Sequence, residues 1–194
     1  MSQFFGNKPL DPSLPPGQTR YVSFPVLHRG NVPVIHEWHV RIDGLVKEPK
    51  TFSMMDIMAL PQTEITTNIH CVTRWSKFGT HWQGVSIDEL FGMVGVLPEA
   101  SHMLIHSYGD YTTHLALEDA LLGKAMIATA FDHKPLSDEH GGPARLLVPH
   151  LYFYKSAKWI ERIELLDHEE FGFWEQHGYH KRGDPWKEQR YSDD

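Results

Sequence analysis

Ile69-His70-Cys71-Val72-Thr73-Arg74-Trp75-Ser76, with Trp82-Gln83-Gly84-Val85 shortly after it, is the stretch that decides how this chain is read. Cys71 is the one cysteine in 194 residues, so no internal disulfide is open to it. A lone thiol is either a small buried apolar group or a group with chemistry to perform, and the count leaves both open. The flanks point to the second. Glu64 to Val72 carries β-branched residues and predicts a strand that delivers Cys71 to its end. Arg74 and Ser76 follow at once, and a nearby cation favours the thiolate, the form that binds soft metals.

Outward from this stretch, strands and short helices mix without regular βαβ alternation. The expected strands are Trp38 to Ile42 (with Asp43-Gly44 as a turn), His102 to Ser107, Ala125 to Phe131, Ala144 to Val148 and Trp159 to Leu166. Ser53 to Leu60 predicts a short helix, with Ser53 as N-cap and Asp56 three residues on. Ser86 to Val94 repeats that pattern with Glu89, and Leu117 to Leu122 predicts a helix ended by Gly123. The sum is an α+β class with a mixed, β-rich core and short helices. Residues 1–20, rich in proline, read as an irregular N-terminal arm, and 21–194 as a single domain that includes the C-terminal tail.

Composition bounds the function. Hydrophobic residues at 41% and charged residues at 22% describe an ordinary globular chain. A formal net charge of -7 gives no basic field for nucleic acid. No apolar run reaches the roughly 18 residues of a membrane span. Met1-Ser2-Gln3-Phe4-Phe5-Gly6 lacks a leader pattern and a twin-arginine pair, which with one cysteine leads to a cytoplasmic expectation. Fourteen histidines invite a zinc reading through His133, His140 and His150, or His168, His177 and His180. Neither set has tight His-x-x-x-His spacing or a CxxC partner, so scattered histidines are expected instead.

Two further segments stand with Cys71. His140-Gly141-Gly142-Pro143-Ala144-Arg145 is a turn feeding a buried strand, with Arg145 at its entrance. Tyr154-Lys155-Ser156-Ala157-Lys158-Trp159 sets two lysines around small residues. Arg145, Lys155, Ser156 and Lys158 together make a candidate phosphate cradle, while Lys155 read alone is expected in solvent.

These segments resemble the molybdopterin-binding domain of the sulfite oxidase family, over about Tyr21 to Asp167. The cysteine motif matches Cys71-Val72-Thr73-Arg74-Trp75-Ser76 with Trp82-Gln83-Gly84-Val85. The His-Gly-x-Pro-x-Arg motif matches His140 to Arg145, and the Lys-Trp motif matches Ser156-Ala157-Lys158-Trp159. A tyrosine motif matches Tyr111 to Glu118, with His114 where the family has serine. The tail from Gly172 to His180 resembles the ending of bacterial stand-alone members. The anion-facing arginine of sulfite oxidases is replaced by Leu27 in Phe24-Pro25-Val26-Leu27-His28-Arg29, and no haem-binding domain is expected.

The resemblance implies the sulfite oxidase molybdopterin-binding fold and a molybdopterin cofactor with molybdenum. It implies Cys71 as the metal ligand, Tyr111 as a donor to substrate, and His28, Ser107, His140, Arg145, Ser156, Ala157 and Lys158 around the pterin. The implied activity is an oxidoreductase that moves an oxygen atom to or from a small S-oxide, N-oxide or sulfite. An electron-transfer partner of unknown identity completes the expectation. The rival is a non-catalytic molybdopterin-binding protein, a carrier or a subunit that needs a partner. Cys71 favours the enzyme, because a carrier need only grip the phosphate.

Overall fold

The computed structural model describes residues 12–194, so most of the expected arm lies outside the described residues. Strands β1 (Thr19–Tyr21), β2 (His39–Gly44) and β3 (Lys50–Ser53) lead into helix α1 (Met54–Ala59). Next come β4 (Thr63–His70), β5 (Trp75–Ser86) and helix α2 (Ile87–Val94). Strands β6 (His102–Ser107) and β7 (Thr112–Ala116) pair as a hairpin. Then follow β8 (Met126–Phe131), β9 (Lys134–Pro135), β10 (Arg145–Leu147), β11 (Ile160–Leu166) and the short α3 (Phe173–Gln176).

Two sheets result, and the class is the α+β, strand-rich one that the sequence predicts. One sheet runs β1-β5-β8-β10, with β4 on β5 and β9 on β8. The other runs β3-β2-β11-β6-β7 and is mixed, because β2 and β11 are parallel while the remaining pairs are antiparallel. The main core joins the two sheets through Val40, Ile42, Ile105 and Ile163 of one and Val85, Ile127 and Leu146 of the other. Helix α2 adds Leu90 and Phe91 to it. Each such side chain, taken fully from water, contributes roughly 1.5–3 kcal/mol.

A second cluster lies on the opposite face of the first sheet, because neighbouring strand residues point to opposite sides. Met126 and Ala128 flank Ile127, and Leu147 follows Leu146, so each strand feeds both clusters. Cys71, Trp75, Trp82 and Phe153 belong to this second cluster. It is the floor on which the site is built.

Both predicted N-cap serines cap their helices, but at α2 the partner is Asp88 and not the expected Glu89. Ser53 and Asp56 make a reciprocal capping box at α1, and Ser86 caps α2 by accepting from the Asp88 N–H. Two local expectations are corrected. Asp43-Gly44 is no free turn but the end of β2, where Gly44 has φ +81° and passes so near Leu165 that a Cβ would lie 2.3 Å from its carbonyl oxygen. Leu117 to Leu122 yields only a single 3-10 turn, Leu117–Asp119. Asp119 is buried there against Arg182 and His150, so tertiary pairing takes the place of helix propagation.

Candidate functional site

Strand β4 ends at His70, and the chain then turns tightly through Cys71 to Arg74 before β5 begins. The Cys71 carbonyl accepts from the Arg74 N–H at 3.0 Å, and the Cys71 N–H donates to the Trp75 carbonyl at 2.8 Å. Arg74 closes this turn in the left-handed region at φ 73°, a conformation that costs a non-glycine residue energy and often marks a working loop.

The Cys71 Sγ lies 3.1 Å from the Thr73 Oγ1. Burial pushes the thiol up from its ordinary range, and Thr73 and Arg190 oppose that. The role expected for Arg74 is therefore corrected. Its side chain is exposed and pairs with Glu188 at 3.7 Å. The cation that acts on the thiol is Arg190, from the far end of the chain, which donates to the Val72 carbonyl at 2.7 Å.

Cys71 opens onto a cavity of about 310 Å³. Of the residues singled out in the sequence, His28, Cys71, Tyr111, Arg145, Ser156 and Lys158 line it. Ser107, His140 and Ala157 do not line it. Ala157 is packed in the main core. His140 stacks on Phe24 at 4.0 Å, and burial with the charges of Lys158 and Arg145 lowers its pKa to about 4. Ser107 is buried at the end of β6 with its hydroxyl unpartnered among the described residues. The remaining wall is strongly aromatic and was not anticipated. Trp174 and Tyr179 come from the tail, Phe24 from a loop, and Phe153 and Tyr154 from the 3-10 turn Phe153–Lys155. The run Phe173-Trp174 beside Tyr179 was the available signal, since aromatic density in an otherwise polar tail calls for a surface to cover.

Two cations stand without carboxylates. Arg145, fully buried, donates to the His140 carbonyl at 2.8 Å, the Ser156 carbonyl at 2.6 Å and, at 3.4 Å, the Leu146 carbonyl. A guanidinium has five N–H donors, and these contacts engage three. Burial lowers Arg145 to about 9. Lys158 donates to the Glu139 carbonyl at 2.5 Å, and burial beside Arg145 lowers it to about 7. Among the described residues neither forms an ion pair. Like charges with spare donors, Arg145 buried and Lys158 half-buried, are what a phosphate would neutralise. The backbone approaches closely here as well. Gly141, at φ 102°, leaves no room for a Cβ, which would fall 2.9 Å from the Lys158 Cβ.

Lys155 corrects the solvent expectation. It is fully buried, and its ammonium meets Glu175 Oε1 at 2.5 Å, the His114 carbonyl at 2.8 Å and the Lys181 carbonyl. It is a strut under the site and not part of a phosphate cradle. Tyr111 donates its hydroxyl to the Tyr154 carbonyl at 2.6 Å, and burial, then Glu175, hold its pKa well above the ordinary range. Leu27 and Arg29 both line the mouth, where the Arg29 guanidinium lies 4.2 Å over the Phe173 ring. Neither zinc triad gathers. His133 stacks on His81, His150 meets Asp119, and His168 meets Asp167.

The family described as oxidoreductase molybdopterin binding domain matches residues 29–174. An uncharacterized oxidoreductase of Bacillus subtilis, YuiH, is 43% identical over 182 residues, covering 92% of each chain. The protein-methionine-sulfoxide reductase catalytic subunit MsrP of Ralstonia nicotianae is 30% identical, over 68% of this chain and 44% of its own. The chain thus spans nearly all of the first and less than half of the second. The sulfane dehydrogenase SoxCD of Paracoccus pantotrophus superposes with a TM-score of 0.62 at 23% identity, over 68% of this chain and 38% of that one. The compartment expected from the sequence is corrected by these relatives. The protein-methionine-sulfoxide reductases are periplasmic enzymes, so the cytoplasmic assignment falls. A single cysteine cannot report a compartment, because it has no internal partner to oxidise or spare.

Proposed function

This chain belongs to the oxidoreductase molybdopterin-binding family, and on that premise we propose that it reduces small neutral S-oxides or N-oxides by removing their oxygen atom. The observation that carries the proposal is the aromatic cavity with the Cys71 thiol in its wall and two unpaired cations, Arg145 and Lys158, beside it. When bound, the molybdenum centre supplies a two-electron couple and a place for an oxygen atom. The residues present fit such a group. Cys71 offers the soft ligand, Arg145 and Lys158 offer charge to a phosphate, and the Ser156 hydroxyl is held at 2.9 Å by the Val148 N–H.

Overall, R2S=O with two electrons from an external reductant and two protons gives R2S and water. The chain's own part is orientation and water exclusion. Trp174, Tyr179, Phe153 and Trp159 enclose the substrate volume in apolar surface. Tyr111, kept protonated by its raised pKa, is a hydrogen-bond donor and not a base. It serves the substrate oxygen by turning from the Tyr154 carbonyl. Neutral oxides suit this mouth because Leu27 brings no charge to it. Arg29 does, but it lies exposed across Phe173, where solvent screens it.

The test is a reduced-dye assay of sulfoxides and N-oxides on molybdenum-loaded protein, run beside sulfite with an oxidised dye. Faster turnover of the neutral oxides is expected, and sulfite oxidation outpacing them would overturn the proposal. Cys71→Ser is expected to stop turnover while pterin content largely survives, because the phosphate contacts are separate from the thiol.

A further inference from the structure

Away from the cavity, at the outer edge of the second sheet, three side chains with metal-binding atoms converge. His102 opens β6 and His114 lies on β7. The register pairs His102 with Ala116 and Leu104 with His114, so the two histidines are diagonal neighbours on one face of the hairpin. Their rings stack at 5.1 Å. Glu169, just beyond β11, closes the group, and one nitrogen of each imidazole and a Glu169 oxygen all lie within 4.8 Å of one another.

The hydrogen bonds around the rings fix what each nitrogen can do. The His114 Nδ1 faces the Lys181 carbonyl at 3.4 Å. A carbonyl can only accept, so that nitrogen carries the hydrogen and Nε2 keeps a lone pair. His114 is 3% exposed, and its Nε2 is buried with no partner among the described residues. A buried acceptor left unmet is costly, and a cation would meet it. The His102 Nδ1 contacts the Ser101 hydroxyl at 2.8 Å, the kind of outer contact that orients a ligating ring, and its Nε2 points to Glu169 at 3.9 Å.

We infer that His102, His114 and Glu169 form a binding site for a divalent transition-metal ion, independent of the molybdopterin cavity. Two imidazoles and one carboxylate form a zinc-type donor set with a fourth position left to solvent. The ion replaces the Lys181 ammonium, which meets the Glu169 oxygens at 3.0 and 3.3 Å on an exposed side chain free to swing away. A bound ion pins the segment after β11 to the edge strand β7. The His114 backbone on that strand is in turn held by Glu175 and Lys155, beneath the cavity wall.

The experiment uses the full chain, treated with chelator and dialysed, with zinc sulfate as probe. Bound zinc is counted after gel filtration, and the thermal midpoint is read with and without the ion. Wild type is expected to retain one ion per chain and to gain thermal stability from it. His102→Ala and Glu169→Gln, both at partly exposed positions that leave the core intact, are each expected to weaken binding by at least about tenfold and to abolish that gain. Cys71→Ser is expected to keep the ion, which separates this site from zinc held by the thiol. No retained ion in wild type, full retention in either His102→Ala or Glu169→Gln, or loss in Cys71→Ser overturns the inference.

Discussion

At the scale of single residues, the two basic side chains read together from the sequence turn out to have opposite tasks. Arg145 has spare donors and no anion, whereas Lys155 spends its ammonium on buried Glu175. Arg145→Ala is therefore expected to release pterin from protein that still folds. Lys155→Ala is expected to cost roughly 3–5 kcal/mol of stability, because it leaves Glu175 as an uncompensated buried charge. Pterin content and urea midpoints of the two variants check this, and equal pterin retention would remove Arg145 from the phosphate. Lys158 adds a pH dependence. Its pKa is lowered to about 7 by burial and by Arg145, with Glu139 opposing. A lowered lysine pKa means that the folded chain binds fewer protons than the unfolded one, so this group's cost to stability fades as pH rises from about 7 towards its ordinary 10.5. Anion binding runs the other way, because a phosphate needs the charged ammonium. Cofactor affinity is expected to fall from about pH 6 to about pH 8, and Lys158→Ala to flatten that profile.

At the scale of elements, β5 is the strand on which the site depends, since it pairs with β1, β4 and β8 and begins where the Cys71 turn ends. Gly84 sits at the register shift between β5 and β8, and a Cβ there would lie 2.0 Å from the Ile127 carbonyl oxygen. Gly79, also in β5, has open space around it and only a left-handed φ of 63°. Gly84→Ala is expected to destabilise by more than Gly79→Ala, about 1–3 kcal/mol or beyond against about 1, read from urea midpoints. Equal midpoints would show that β5 can slide off β8. This strand also marks the edge of what the sequence disclosed. His102 to Ser107 and the capped helices were legible because periodicity and capping are local signals. Trp75 to Ser86 was legible as a motif and not as a strand, because Gly79 and Gly84 and a run of polar residues break the alternation. The cysteine turn and the His140 to Arg145 loop carried recognisable spacing. The aromatic wall did not, because Trp174 and Tyr179 reach the cavity only through tertiary packing.

At the scale of the whole molecule, the two ends of the described chain meet around the Cys71 turn. From the N-terminal side, the Gln18 amide donates to the Cys71 carbonyl at 3.0 Å and Gln18 accepts from Ser76 at 3.3 Å. From the C-terminal side, Arg190 donates to the Val72 carbonyl at 2.7 Å and the Pro16 carbonyl at 3.0 Å, with its guanidinium over the Tyr152 ring. One buried arginine thus ties both termini to the loop that holds the thiol, and its charge joins the Thr73 hydrogen bonds in countering the effect of burial on that thiol. A hydrogen bond from a charged donor is worth about 1.5–3 kcal/mol, which corresponds to roughly a tenfold to hundredfold change in how often the turn opens. Arg190→Ala is therefore expected to raise the alkylation rate of Cys71 in cofactor-free protein by up to about that factor when rates are compared per thiolate, since loss of the cation by itself disfavours the thiolate, with a smaller change in the global unfolding midpoint. Arg190→Lys should recover part of the protection, since a lysine restores one carbonyl contact but not the two-carbonyl grip. Alkylation that tracks global unfolding alone, with no separate opening of the turn, would show that the termini hold the fold as a whole and not the cysteine loop in particular.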